Sequence, residues 1–209
     1  MAAMIEFFFD CSSPWTYLAF HNNQPISAEL GVPIAWRPIL VGGVFNAVNA
    51  SVYAARDNPV PPKAAYMRKD LADWATAAGL KIVFPPRVFP VNSVKAMRGC
   101  LLLEPEGKLV AFARAVFETY WGDDEDISQD DVLARAGVRA SVDPEFLFAG
   151  LGAQAIKDRL RANTEELIRR GGFGSPTIFV GGADMYFGND RLPLVRAALE
   201  RAQAKPLPR

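Results

Sequence analysis

Apolar positions fall in runs of different period along this chain, and their order predicts its architecture. From Ile5 to Phe9 the run is continuous and stops at Asp10, as in a strand buried on both faces. From Pro14 to about Leu30 the apolar residues, among them Trp15, Leu18, Ala19 and Ile26, recur at a loosely helical spacing, and Gly31 is placed to cap the helix. Val32 to Trp36 reads as a short second strand leading into Arg37-Pro38. Strand, helix and strand within about 35 residues form a βαβ unit, so the two strands are expected to be parallel and joined by a right-handed crossover.

After Pro38 the pattern stays helical for well over a hundred residues. Val41 to Val60 is expected to be loop and helix start, Lys63 to Leu80 a helix ending at Gly79, and Phe84 to Asn92 irregular because of Pro85, Pro86 and Pro90. Asn92 or Ser93 can cap a helix to about Leu103, Glu106 to Trp121 reads as another, and Gly122 to Asp126 as an acidic, solvated turn. Ser128, Asp130, Ser141 and Asp143 look like starts of two short helices, followed by a longer one from Ala155 to Arg170. The sheet pattern then returns. Phe173 to Val180 is a turn feeding a strand, Gly181 to Asp184 a hairpin turn into Met185 to Phe187, and Gly188-Asn189-Asp190 caps a last helix from Arg191 to about Ala204. The predicted fold is α/β: a four-stranded mixed sheet from residues 1–40 and 172–209, interrupted by a helical insertion over residues 41–171 with no linker and no internal repeat.

Composition narrows the function classes. Half of the 209 residues are hydrophobic, enough for a real core, and lysine plus arginine equal aspartate plus glutamate at 23 each, so net charge points to no nucleic acid and no anionic membrane. A small molecule or a protein is the expected partner. An acidic residue, Glu6, precedes any long apolar run, and no run approaches the roughly 20 residues of a membrane span. The expected location is therefore the cytoplasm. Cys11 and Cys100 form neither a CxxC pair nor a metal-ligand spacing, and the lone His21 is expected to pack on the first helix.

The candidate chemistry sits where the first strand ends. Asp10-Cys11-Ser12-Ser13-Pro14 is a turn that delivers the Ser13 hydroxyl to a helix N-terminus, with Pro14 suited to the first helical turn. Free N–H groups there attract anions, thiolates included. Ser13 as a plain helix cap remains the alternative, as does Cys11 as a small buried hydrophobe.

Three motifs carry a family resemblance. Ser13-Pro14-Trp15-Thr16 stands where DsbA-like oxidoreductases have Cys-Pro-x-Cys, Gly174-Ser175-Pro176-Thr177 resembles their cis-proline loop, and Phe187-Gly188-Asn189-Asp190-Arg191 is similar to the glutathione-binding turn of kappa-class glutathione transferases. With Arg37-Pro38, Lys63-Ala64-Ala65-Tyr66-Met67 and Phe89-Pro90-Val91-Asn92, nearly the whole chain resembles the bacterial 2-hydroxychromene-2-carboxylate isomerases. Disulfide exchange at the first motif is excluded, because both cysteine positions hold hydroxyls, Ser13 and Thr16. The site instead has to borrow a thiol.

The resemblance implies glutathione as the cofactor. Ser13 would donate to its sulfur, the Ser175 backbone before Pro176 would pair with its main chain, and Asn189 and Asp190, in the turn opened by Gly188, would hold its γ-glutamyl end. Asn49 lies near a family glutathione contact, although the loop after Gly43 departs from the family pattern. Lys63, Asn92 and Arg37 are candidates for the substrate carboxylate, with Trp15 and Tyr66 as apolar walls. The plainer alternatives stay open: Asp190 paired with Arg191, Asn92 a cap, Lys63 a helix-start lysine, Trp15 and Tyr66 core residues. The implied activity is glutathione-dependent cis-trans isomerisation of a small aromatic pyruvate-type substrate by a homodimer. The rivals are kappa-type conjugation or peroxide reduction, and thiol-peptide binding without catalysis.

Overall fold

The computed structural model describes residues 4–204. At the middle of its sheet lies β1 (Ile5–Phe9), which pairs parallel with β2 (Ile34–Pro38) and antiparallel with β3 (Thr177–Val180). The strand β4 (Asp184–Phe187) pairs antiparallel with β3 and completes the order β2-β1-β3-β4. Alternation along β1 explains its continuous apolar run. Ile5, Phe7 and Phe9 enter the main core on one face, while Phe8 joins Ile39, Val44, Leu167 and Phe179 on the other.

The first helix, α1 (Pro14–Leu30), starts at Ser13 and ends at Gly31, whose φ of 62° supplies the left-handed cap. Gly31 also shifts the second strand relative to the sequence expectation. Val32 is still held to the helix end, its N–H bonded to the Ser27 carbonyl at 3.0 Å, so pairing begins at Ile34 opposite Ile5.

Between β2 and β3 come α2 (Val41–Val48), α3 (Ser51–Asp57), α4 (Pro61–Ala77), α5 (Val94–Leu103), α6 (Leu109–Phe117), α7 (Asp130–Arg139), α8 (Pro144–Leu151) and α9 (Gln154–Arg169). The last helix, α10 (Leu192–Ala204), follows a 3-10 turn at Asn189–Arg191. Two departures from expectation bear on the site. The segment expected to be loop and helix start, Val41 to Val60, forms two helices, α2 and α3. The helix expected to run to Trp121 stops at Phe117 and widens into a π-helical turn, Glu118–Gly122, that swings Tyr120 and Trp121 fully inward.

Aromatic packing ties the helices to the sheet. Phe20 of α1 lies 4.8 Å from Trp36 of β2 and 5.2 Å from Phe117 of α6, and Tyr17 stacks on Phe117 at 5.1 Å. Each such pair contributes about 0.5–1.5 kcal/mol beyond its buried area, so the orientation of α1 is fixed by contacts on two elements, β2 and α6. Among the described residues no helix is long and apolar enough to cross a membrane.

On the opposite face Glu6 is buried beside Phe8, yet charged. Arg170 donates to both its oxygens at 2.9 and 3.0 Å, and Arg37 reaches it at 3.4 Å. The Arg170 guanidinium also lies 3.8 Å from the centroid of the Phe179 ring. The hydrogen bond from Arg170 holds the Glu6 carboxyl below its ordinary value of 4.5, against the opposing effect of burial. A depressed acid stabilises the fold above its unfolded value and loses that contribution as pH falls through the folded value. Arg170→Met is therefore expected to cost about 2–3 kcal/mol in urea unfolding at pH 7, with the deficit shrinking below pH 4.5. An equal deficit at both ends of that range would contradict the assignment.

Candidate functional site

The site is built where β1 runs out into the turn before α1. Asp10, almost fully buried, joins three segments: its carboxylate accepts from the Ser12 N–H and the Val41 N–H, each at 2.9 Å, and its own N–H donates to Ser175 Oγ at 3.0 Å. Thr16 Oγ1 shares a 2.8 Å hydrogen bond with the same Ser175 hydroxyl. Behind the turn, the Trp121 indole N–H donates to the Cys11 carbonyl at 2.8 Å, which is the structural use of the π-helical turn.

These bonds leave Ser13 half-buried at the start of α1, with its backbone extended at φ −115° and ψ 126°. Its hydroxyl accepts from the Thr16 N–H at 3.3 Å and donates to the Ser175 carbonyl at 3.3 Å. Both bonds are long, so the hydroxyl can be redirected at little cost. The Ser175–Pro176 peptide is cis. Before it, Gly174 allows the Phe187 ring to close over the loop; a Cβ there would lie 2.8 Å from that ring.

Ser13 lines one cleft, and a second shares Trp15, Ser175 and Phe187 with it. The first, of about 310 Å³, is lined by Ser13, Trp15, Asn49, Phe89, Ser175 and Phe187, with Arg56 at its rim. The second, of about 540 Å³, lies across Trp15 and Ser175 and is bordered by Tyr66, Trp74, Pro176, Asn189, Asp190 and Asp70. In the second, Gly188 at φ 102° turns the chain so that Asn189 points inward. Asn189 Oδ1 accepts from Asn22 Nδ2 at 2.9 Å, while its own buried Nδ2 has no partner among the described residues.

The residues singled out from sequence thus separate. Ser13, Trp15, Ser175, Pro176, Gly188, Asn189, Asp190 and Tyr66 border one or both of these two clefts. Tyr66 is 65% exposed and Trp15 half-buried, so neither is an interior core residue. Asp190 pairs with Arg191 at 2.5 Å, its plainer alternative, while facing the larger cleft. Asn49 lines the Ser13 cleft, but its amide is bound to the Phe173 carbonyl at 3.1 Å. Asn92 caps Val94 and lines an adjoining cavity with Asp10 and Ser12. Lys63 lines a separate cleft of about 840 Å³ that Ser13 does not border. Arg37 is on the far side of the sheet, paired with Glu6 and Glu166, and does not reach the site.

Several residues of the site lie outside the chain's recognisable motifs. The Asp10-Cys11-Ser12 order is an Asx-turn pattern and could have marked Asp10. Arg56, Asp70 and Trp74 come from helices that show no chemistry in their spacing.

Electrostatics sort the remaining acids and thiols. Burial pushes the Asp10 carboxyl above its ordinary 3.8, with hydrogen bonds from Ser12, Val41 and Ser93 acting the other way. Burial likewise pushes the Cys11 thiol far up, reinforced by Asp10 and Cys100, and does the same to Cys100. Neither is a thiolate at neutral pH, so the site supplies hydroxyl donors and a helix terminus but no nucleophilic sulfur of its own.

Comparison with known proteins agrees with the fold. The family model described as DSBA-like thioredoxin domain matches residues 4–200. The 2-hydroxychromene-2-carboxylate isomerase of Pseudomonas putida is 29% identical over 198 residues, covering 95% of each chain. Glutathione S-transferase kappa 1 of Homo sapiens is 26% identical over 216 residues, covering 98% of this chain and 94% of that one. A solved structure of 2-hydroxychromene-2-carboxylate isomerase superposes with a TM-score of 0.81 at 28% identity, covering 95% of both chains.

Removing the Asp10 carboxylate leaves two buried N–H groups unmet. Asp10→Ala is expected to destabilise the fold by about 3 kcal/mol in urea. Because the folded-state acid is raised, its contribution is complete below its unfolded value near 3.8 and diminishes as pH climbs through the folded one. The deficit should be larger at about pH 4 than at pH 7; the reverse order would remove Asp10 from its role.

Proposed function

The chain belongs to the DSBA-like thioredoxin domain family, and on that footing we propose that it is a glutathione-dependent isomerase of the 2-hydroxychromene-2-carboxylate isomerase type. The observation that carries the proposal is the Ser13 hydroxyl, held at the N-terminus of α1 and lining a cleft that shares Trp15 and Ser175 with a larger one, in a site without an ionised thiol of its own. Asn189 and Asp190, which border the larger cleft beside Ser175 and Pro176, support a peptide-like ligand there.

In this reading Asn189 and the N–H groups of the 3-10 turn take the γ-glutamyl carboxylate, and Asp190 and Asp70 face its ammonium. The Ser175 backbone offers an edge for the cysteinyl unit beside Pro176. Ser13 exchanges its long bond to the Ser175 carbonyl for a bond to the sulfur, and the positive end of α1 adds to the same preference for an anion. Glutathione, when bound, supplies a thiolate that adds reversibly to a conjugated carbon, so that the former double bond can rotate before the sulfur leaves. Trp15, Phe89 and Phe187 limit water around that step. The substrate is a small aromatic pyruvate-type molecule. The buried free thiols Cys11 and Cys100 fit a reducing compartment, so the proposal sets the enzyme in the cytoplasm; the homodimer in the proposal rests on the kappa-class resemblance alone.

A second reading has support in the similarity to kappa-class transferases: the same bound thiol would be consumed in conjugation or peroxide reduction. Stoichiometry separates the two. Interconversion of 2-hydroxychromene-2-carboxylate and its benzylidenepyruvate isomer should require glutathione and leave its concentration unchanged. Consumption of the thiol with chlorodinitrobenzene or a hydroperoxide, and no isomerisation, would replace the first reading by the second.

A thiol titrates near pH 8.5 when free, and each unit of depression corresponds to about 1.4 kcal/mol. Titration of bound glutathione by its thiolate ultraviolet absorbance should show a depression of about one to two units. In Ser13→Ala the depression should shrink by about one unit and turnover should fall about 10- to 100-fold at neutral pH. Unchanged thiolate absorbance in that variant would remove Ser13 from the mechanism.

A further inference from the structure

Arg56 stands where the cavities around the site meet. It lines the cleft of Ser13, the neighbouring cavity of Asp10 and Asn92, and the wide cleft of Lys63, and it is the one residue common to all three. Its guanidinium lies 5.5 Å from the centroid of Phe45 and 5.3 Å from that of Phe89, which border the Ser13 cleft. Rings restrain a guanidinium without engaging its N–H donors. Among the described residues Arg56 has no ion-pair partner and no hydrogen-bond acceptor. A cation is thus preset at the rim of the Ser13 cleft with its donors free.

We propose that Arg56 is the specificity residue for the electrophile, receiving a carboxylate on a substrate whose aromatic part lies in the Ser13 cleft that Phe45 and Phe89 help to line. The proposal deepens the isomerase reading and rests on it for the assignment of that cleft to the electrophile. The competing cations fit less well. Lys63 borders only the wide cleft, which Ser13 does not line, and Arg37 is committed across the sheet. At the inner end of the Asp10 cavity a carboxylate already sits, so an incoming anion is favoured at the Arg56 end. A planar fork suits a carboxylate better than a lysine ammonium would, because both oxygens can be held together.

The test measures binding separately from turnover. Calorimetry on the full-length protein should give trans-cinnamate a dissociation constant at least about tenfold weaker in Arg56→Met than in the wild type, with Arg56→Lys in between. Methyl cinnamate, which has the same ring but no charge, should bind both proteins equally. In steady state, KM for the benzylidenepyruvate should rise in Arg56→Met by the same factor while the thiolate absorbance of bound glutathione stays as in the wild type. Equal cinnamate binding in Arg56→Met, or an equal loss for the ester, would overturn the inference. Failure of the wild type to bind glutathione, with charge-selective cinnamate binding intact, would instead sink the isomerase reading and leave Arg56 an anion receptor.

Discussion

One buried carboxylate without a cation governs the geometry of the site. Asp10 ends the central strand, and a strand buried on both faces cannot simply stop, because its last polar groups have to be met inside the protein. They are met by chain segments that are distant in sequence. The Asp10 carboxylate takes the N–H groups of Ser12 and Val41, and its N–H goes to the Ser175 hydroxyl. The turn of Ser13, the start of α2 and the loop of Pro176 are therefore positioned by a single residue. Burial disfavours the charge on that residue, and the hydrogen bonds partly offset the penalty.

Much of the fold could be read in the chain because its governing signals are local. The continuous apolar run of β1, the cap at Gly31 and the glycine-rich turn before Met185 each act within a few residues. The fold class and the four strands follow from such signals, and so does the placement of Ser13 at a helix start. What the pattern misassigned was decided by distant contacts. The widening of α6 into a π turn follows from seating Trp121 against Cys11, more than a hundred residues earlier. The helices α2 and α3 form in a segment rich in glycine and asparagine, with Val44 buried against the far face of the sheet.

For the candidate site itself, motifs were informative about the turns around Ser13 and Pro176 and much less so about the helices that line the clefts. Ser13, Ser175, Pro176 and Asn189 lie at turns whose backbone demands leave a recognisable sequence. Arg56 is an ordinary cation on a short helix, and only the meeting of Phe45 and Phe89 around it gives it meaning. Arg37 shows the converse. It stands in a suggestive position in the chain, yet strand alternation turns it toward Glu6 on the opposite face.

The hydrogen bond from Ser13 to the Ser175 carbonyl closes a loop of 162 positions. Contacts of that separation form late, since a long stretch of chain has to be ordered before they gain anything. A ribosome that has released only the first three quarters of this polypeptide has exposed the serine but not the wall it works against. Until the C-terminal hairpin is added to the sheet, the unfinished chain has no assembled cleft beside Ser13.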